Sequence, residues 1–394
     1  MRIAITHPTD WPFVRRGTER FMNELAEYLA SRGHDVTILS AKPGRGEVLR
    51  DSAYITRHHR RLWHPSLGKV GIIEAHAFLV TCLASLLRHR FDIIQCCSFT
   101  DAFAASLARR VTGTPFVFWV NGLPPRVKYY RSLSLGGKVF TRAIQDADEV
   151  INISNFTQEY VAENYGRRGV VIPVPVAVER FPLVQGRSLD APEILCTASL
   201  DDARKGGRVL FRAFQLLKSR RPTARLRIAY NLPETLRREF LSLVDEQYHG
   251  DIIFSGTGKL EDLPRWYAQA AVSVLPSMWE PFGLVVIESL AAGTPVVGTR
   301  SGALETLLAD PTIGRLFDPG GENSIEPTNA EGLSQAIDEA IELSRHGETS
   351  RRARQFAEQF SWQAVGPRFE EIYNDIVSAK RTGIPRASSE GGDR

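Results

Sequence analysis

Short apolar runs alternate along this chain with longer segments in which apolar residues recur every three or four positions. The runs Ile3 to Ile5, Val36 to Leu39, Ile93 to Cys97, Phe116 to Val120 and Val150 to Ile153 predict strands. The intervening segments Phe21 to Ala30 and Ile72 to Leu87 predict helices. Strands joined in this way form parallel sheets with crossover helices. A proline-interrupted stretch, VVIPVPVAVERFP, breaks the rhythm. It restarts with Ile194 to Ala198, Leu226 to Tyr230, Ile252 to Phe254, Val272 to Leu275 and Pro295 to Gly298. The expected fold class is α/β: two doubly wound, Rossmann-like domains facing across a cleft, at residues 1–175 and 193–360, with a hinge at 176–192. Ligands of such sheets collect beyond the carboxyl ends of the strands. Residues 381–394 carry little apolar content and are expected to be disordered.

Composition narrows the class. With 394 residues the chain allows two or three domains, and 43% hydrophobic content is enough for sizeable cores. No run approaches the ~20 apolar residues of a membrane span. The longest candidate, Ala77 to Leu87, ends in Arg88, His89 and Arg90 and reads as a buried helix. The opening RIAIT enters a strand without the basic, apolar and small-residue succession of a secretory signal. Four cysteines, two of them adjacent at Cys96 and Cys97, have no metal spacing and no disulfide framework, so a reducing cytosol is expected.

The net charge of +4 is uneven: residues 1–180 hold 24 of the 49 basic residues but only 16 of the 45 acidic ones. The basic run Arg57 to His64, with Arg15 and Arg16, could draw this half toward anionic lipid at the inner membrane face or toward a phosphorylated acceptor. The alternative is a solvated basic loop or strand. Nucleic acid is not expected, because Trp63 is the one aromatic residue in that run and no recognition motif accompanies it.

The most informative stretch is SMWEPFGLVVIESLAAGTPVV. Pro281 disfavours helical backbone at Glu280, while Leu284 to Ala292 has the residues and length of a helix that Gly293 can cap. Glu288 lies two turns along it. Eight helical residues span about 12 Å, which argues against a close acid/base or nucleophile pair of carboxylates. Near Phe282, Gly283 and Leu284 the helix N-terminus offers unpaired N–H groups and roughly half a positive charge, suited to a diphosphate.

EPFGLVVIE resembles the E-x7-E motif of family 4 glycosyltransferases, retaining enzymes of the GT-B fold that move a sugar from a nucleotide-diphosphate donor. The alternative is an ordinary buried loop and helix. TASLDDARKGGRVLFRAF resembles the family's strand-to-helix loop in which an arginine and a lysine hold the donor diphosphate. Lys205 matches the lysine, Ser199 stands at the arginine's position, and Arg204 is the available substitute. Gly17 resembles the second glycine of the family's Gly-Gly pair, with Arg16 in place of the first. Asn121 occupies the position where relatives commonly carry a histidine, and it cannot titrate near neutral pH. A plain αL turn with Gly122 is its other reading. GTRSGALE resembles a glycine-rich loop beside the nucleotide, with Ser301 replacing the first glycine and Gly302 and Glu305 matching. SWQAVGPRFEEIYNDIV resembles the terminal helix that crosses back onto the N-terminal domain, expected at 361–380, with Trp362, Phe369, Ile372, Tyr373 and Ile376 on its apolar face.

The resemblance implies a hexose transfer to a glycan or lipid-linked acceptor, with no cofactor and no divalent metal. Lys205 and the Phe282 helix tip would stabilise the leaving diphosphate, Glu280 would face the sugar and Glu288 the ribose, and Asn121 and Gly17 would close the site. The D-x-D string Asp146 to Asp148 is read as element termini rather than a metal site. The histidines form no zinc pattern. Ser154 or Asn155 is the expected cap of the next helix. Rival readings are a non-catalytic nucleotide-sugar binder or partner subunit, and a sugar-nucleotide epimerase or a phosphorylase.

Overall fold

A computed structural model describes residues 1–11, 13–14, 16–42, 46–50, 53–60, 72–122, 135–184, 187, 189–258, 261–321 and 324–382. The chain divides into two compact units, Met1–Val174 with the segment from Val365 onward, and Pro175–Ala364.

The first unit runs β1 (Arg2–Thr6), α1 (Gly17–Ser31), β2 (Asp35–Lys42), β3 (Glu47–Arg50), β4 (Ile55–Arg60), α2 (Ile72–Arg88), β5 (Ile93–Cys96), α3 (Phe99–Thr112), β6 (Phe116–Val120), α4 (Leu135–Asp146), β7 (Glu149–Asn152), α5 (Asn155–Tyr165) and β8 (Val170–Val171). Its sheet has the order β3-β4-β2-β1-β5-β6-β7-β8, with β3 alone antiparallel. The inner strands β5, β6 and β7 are buried at every position, as expected of strands covered by helices on both faces. Trp119 of β6 stacks on Phe21 of α1 with ring centroids 4.0 Å apart, and Phe369 packs against Phe21 from the far end of the sequence.

The second unit runs β9 (Glu193–Cys196), α6 (Gly207–Leu217), β10 (Arg225–Ile228), α7 (Glu234–Leu241), β11 (Ile252–Phe254), α8 (Asp262–Gln269), β12 (Val272–Leu275), α9 (Leu284–Ala291), β13 (Val296–Thr299), α10 (Leu304–Leu307), β14 (Gly314–Phe317), α11 (Ala330–Leu343) and α12 (Gly347–Glu358). Its sheet is wholly parallel, in the order β11-β10-β9-β12-β13-β14. The chain lays strands outward from β9 on one side, then returns to lay β12 on the other. That reversal leaves a crevice beyond the carboxyl ends of β9 and β12. In the first unit the equivalent reversal lies between β1 and β5.

The expected α/β class with two doubly wound sheets is what the chain adopts. The periodicity missed β3, β4, β8 and β14, which are short or polar. The helix α13 (Trp362–Thr382) begins in the second unit and belongs to the first from Val365. There Tyr373 donates its hydroxyl to Gln95 Oε1 at 2.6 Å, and Glu370 accepts from Tyr28, Arg32 and His34. The tail expected to be disordered from 381 is corrected at its start, because Arg381 and Thr382 complete the last turn of α13; residues 383–394 lie outside the described residues.

Candidate active site

The loop after β9 brings a cation to the crevice of the second unit. Asp202 accepts the Arg204 N–H and closes a 3-10 turn over Ala203–Lys205. The Arg204 guanidinium then folds onto the same carboxylate, at 2.6 Å. Burial opposes ionisation of Asp202, but this guanidinium holds its carboxyl below the ordinary value. Gly206 follows at φ 71, and a Cβ there would lie 2.3 Å from the Pro276 carbonyl oxygen. Only a glycine permits that approach, and the Met278 N–H donates to Arg204 O beside it at 2.8 Å. Two loops distant in sequence are thereby pressed together.

Their contact is the central feature of the site. Lys205 Nζ donates to Glu280 Oε2 at 2.6 Å, with side chains 21% and 12% exposed. Ser199 lies at the start of the same loop, its carbonyl accepting the Asp202 N–H. Glu280 is held by its backbone as well, bridging to Gly302 and accepting the Ala303 N–H at 3.0 Å. The preceding residue, Trp279, has φ 53 and is the one non-glycine residue with positive φ among the described residues. Such a conformation costs on the order of 1–3 kcal/mol and is found where the surroundings enforce it. The Trp279 N–H donates to Ser301 Oγ at 3.2 Å.

Gly283, at φ 102, starts α9. Val286 and Ile287 turn their N–H groups back on Gly283 O, while Leu284 and Val285 in the first turn have no intrahelical acceptor. Phe282 is buried at the helix entrance. The predicted helix ends as expected, with Ala292 as cap and Gly293 left-handed at φ 75. Its C-terminal carbonyls are met by two arginines: Arg354 on Ala291 O, and Arg187 on Ala292 O and Gly293 O. Glu288, only 2% exposed, accepts from the Tyr267 hydroxyl at 3.0 Å, and that hydroxyl also meets Thr197 Oγ1. The two carboxylates of the motif thus have separate partners.

In the first unit Arg16 is the extended N-cap of α1 and Gly17 its first residue. Asn121 Nδ2 donates to Thr18 Oγ1 at 2.8 Å and to Cys97 O at 3.3 Å. It is not left-handed, so the reading of Asn121 as an αL turn former is corrected: its amide ties the start of α1 to the end of β5. Nearby, Glu19 accepts from Thr9 and Asp101 from Thr6. Asp101 is fully buried, and burial pushes its carboxyl up to about 6.

The basic run is a strand as far as Arg60, with His58 turned inward. His58 is buried against Asp10 at 2.9 Å, and the half-buried His59 meets Ser85. Residues 61–64 and Arg15 lie outside the described residues. Asp146 meets Ser106 and Arg142, and Asp148 pairs with Arg109. Among the described residues no His/Cys/Asp/Glu group is arranged to hold a metal ion, and no helix is long and apolar enough to cross a membrane. All four cysteines are free and buried. Ser154 caps α5 by accepting the Thr157 N–H. Glu305 lies in the first turn of α10. Sequence reasoning missed Tyr267, Asp202 and the strained Trp279. Tyr267 and Trp279 act through partners set by the fold, whereas Asp202 caps a turn onto Arg204, a local signal that the D-A-R spacing carries.

Residues 15–180 match the model described as Glycosyltransferase Family 4, and residues 191–342 the model described as Glycosyl transferases group 1. An MMP alpha-(1->4)-mannosyltransferase of Mycolicibacterium hassiacum is 30% identical over 53% of this chain and 48% of its own length, so the aligned stretch spans about half of that relative. A glycogen synthase of Mycobacterium tuberculosis is 24% identical over 98% of this chain and 97% of its own. Sucrose-phosphate synthase from Thermosynechococcus elongatus shares the fold with a TM-score of 0.78 at 22% identity, covering 96% and 99% of the two chains. Anabaena HepE, solved with UDP and glucose, does so with a TM-score of 0.72 at 17% identity, covering 94% and 98%. With both halves matched by glycosyltransferase models and the two-sheet architecture shared with these structures, the chain belongs to glycosyltransferase family 4 and has a GT-B-like fold.

Proposed function

We propose that this protein is a retaining hexosyltransferase that moves a hexose from a nucleotide-diphosphate sugar to a hydroxyl of a glycan or lipid-linked acceptor without a metal ion. The observation that carries this reading is the Lys205–Glu280 contact at 2.6 Å beside the N-terminus of α9. An ammonium has three donors and can keep the carboxylate while also meeting a diphosphate oxygen. Lys205 and the first-turn N–H groups of α9 stabilise the negative charge that grows as the anomeric C–O bond breaks. Glu280 orients the sugar hydroxyls and supports the positive charge on the ring. Glu288 accepts from the ribose, with its carboxylate already fixed by Tyr267. The acceptor oxygen bonds to the anomeric carbon from the face the diphosphate leaves, and its proton passes to a phosphate oxygen.

In this assignment residues 193–360 take the donor, residues 1–175 shape the acceptor side through Gly17 and Asn121, and the helix at 361–380 is structural. Ser199 and Arg204 line the donor loop. Ser199 lacks a charge and the Arg204 guanidinium is folded back onto Asp202, so the cationic role is given to Lys205, the cation beside Glu280.

A thermal-shift screen against UDP-, GDP- and ADP-sugars identifies the donor, since a ligand at 100 times its dissociation constant adds about 2.7 kcal/mol. Release of nucleoside diphosphate is then followed with and without EDTA. The acceptor panel includes inositol phosphate, phosphatidylinositol and α-glucans, the chemistries named for the relatives. The expected result is turnover that EDTA leaves intact and Glu280→Ala abolishes with donor binding retained. Donor binding without diphosphate release across the panel would instead favour the non-catalytic binder.

A further inference from the structure

The loop between β12 and α9 contains one backbone conformation that its sequence does not favour, and it sits next to the carboxylate assigned to the sugar. Trp279 is left-handed at φ 53, although a bulky side chain resists that region. Its neighbours on both sides are tethered: the Met278 N–H to Arg204 O, and Glu280 O to the Ala303 N–H. The Trp279 N–H itself is received by the side chain of Ser301, at 3.2 Å. A residue without a hydroxyl at position 301 would supply no side-chain acceptor for that N–H.

We propose that Ser301 is a positioning residue for Glu280: its hydroxyl holds Trp279 left-handed, and this turn of the backbone delivers the Glu280 carboxylate to Lys205. Without that hydrogen bond Trp279 relaxes toward the ordinary negative-φ regions. The peptide between 279 and 280 then rotates, and the carboxylate leaves the ammonium. The consequence falls on turnover more than on donor affinity, because the diphosphate contacts of Lys205 and α9 persist. The inference rests on the reading of Glu280 as the residue that faces the transferred sugar.

The test uses the full-length chain and whichever of UDP-glucose, GDP-mannose or ADP-glucose gives the largest thermal shift, with nucleoside diphosphate release as the readout. Ser301→Ala is expected to lower kcat about tenfold while donor KM changes less than threefold, and Ser301→Thr, which keeps the hydroxyl, to restore kcat to within about threefold. Glycine adopts positive φ without help. In a Trp279→Gly background, therefore, Ser301→Ala should cost less than about twofold. A full tenfold loss in that background, or an unchanged kcat in Ser301→Ala itself, overturns the proposal. Glu280→Ala is run alongside. If it retains turnover, the functional reading fails; if it abolishes turnover while Ser301→Ala does not lower it, only the inference about Ser301 fails.

Discussion

In the second unit the charged groups of the site hold one another, whereas in the first unit Asn121, Glu19 and Asp101, at the ends of β1, β5 and β6, hold backbone and neutral hydroxyls. Lys205 meets Glu280 and Arg204 meets Asp202, each at 2.6 Å, beyond the carboxyl end of β9. Around β1, β5 and β6 the pairs are Asn121 with Thr18, Glu19 with Thr9, and Asp101 with Thr6. Both Glu19 Oε2 and Asp101 Oδ1 are buried there with no hydrogen-bond partner. In the proposed assignment the second unit handles the leaving diphosphate and the first the acceptor hydroxyl, and the difference suits those tasks. A leaving diphosphate needs a cation kept in place before the donor arrives, and a nearby carboxylate supplies that restraint. An acceptor hydroxyl needs shape, and buried neutral contacts supply it while leaving this half sensitive to ionisation.

The sharpest way to break the comparison is to remove the cation of the donor half. Lys205→Ala is expected to lower kcat by about 10²- to 10³-fold, close to 3–4 kcal/mol of transition-state stabilisation, read as nucleoside diphosphate release. A loss below tenfold would show that the helix N-terminus suffices.

The ionisation contrast is next in size. Asp101 has its pKa raised by burial to about 6, so the folded unit prefers the neutral carboxyl. Its contribution is fully present below the unfolded value near pH 4 and is lost as pH rises through about 6. Asn, which can still accept from Cys97 and Ser98, should remove that loss. Asp101→Asn is therefore expected to gain on the order of 2–3 kcal/mol over the parent at pH 8 and nothing at pH 4, by urea unfolding at the two pH values. Equal curves at both would mean that the carboxyl ionises without penalty.

Tyr267→Phe sharpens the donor half further. Taking one hydroxyl from the buried Glu288 should raise donor KM about tenfold, or ~1.5 kcal/mol, with kcat little changed. An unaltered KM would leave Glu288 independent of the tyrosine. The smallest effect belongs to Arg204→Ala, for which turnover should change less than about twofold because its guanidinium is already bound to Asp202. A loss like that of Lys205→Ala would instead make Arg204 the replacement for the arginine absent at Ser199.

Much of the architecture was readable from the chain. Continuous apolar runs such as FVFWV announce strands covered on both faces, and Gly293 and Ser154 mark helix ends by local chemistry. The helix start at Gly283 was legible for the same reason, whereas the E-x7-E segment and Lys205 were singled out by resemblance to the family. What failed to read was polar or paired. The strand β4 looked like a basic patch until His58 turned inward to Asp10, and neither reading of Asn121, as a site residue or as a turn former, foresaw that its amide reaches Thr18.

The sequence by itself determined the alternation of strands and helices, the places where helices stop and the residue types available to a diphosphate, because these depend on periodicity and capping within a few residues. Only the tertiary structure decided that Lys205 meets Glu280 across 75 positions, that Tyr267 fixes Glu288, and that Ser301 receives the left-handed Trp279. Those pairings exist because a parallel sheet places the ends of β9, β12 and β13 in one crevice. Their distances are set by how closely the loops approach, as where Gly206 meets Pro276.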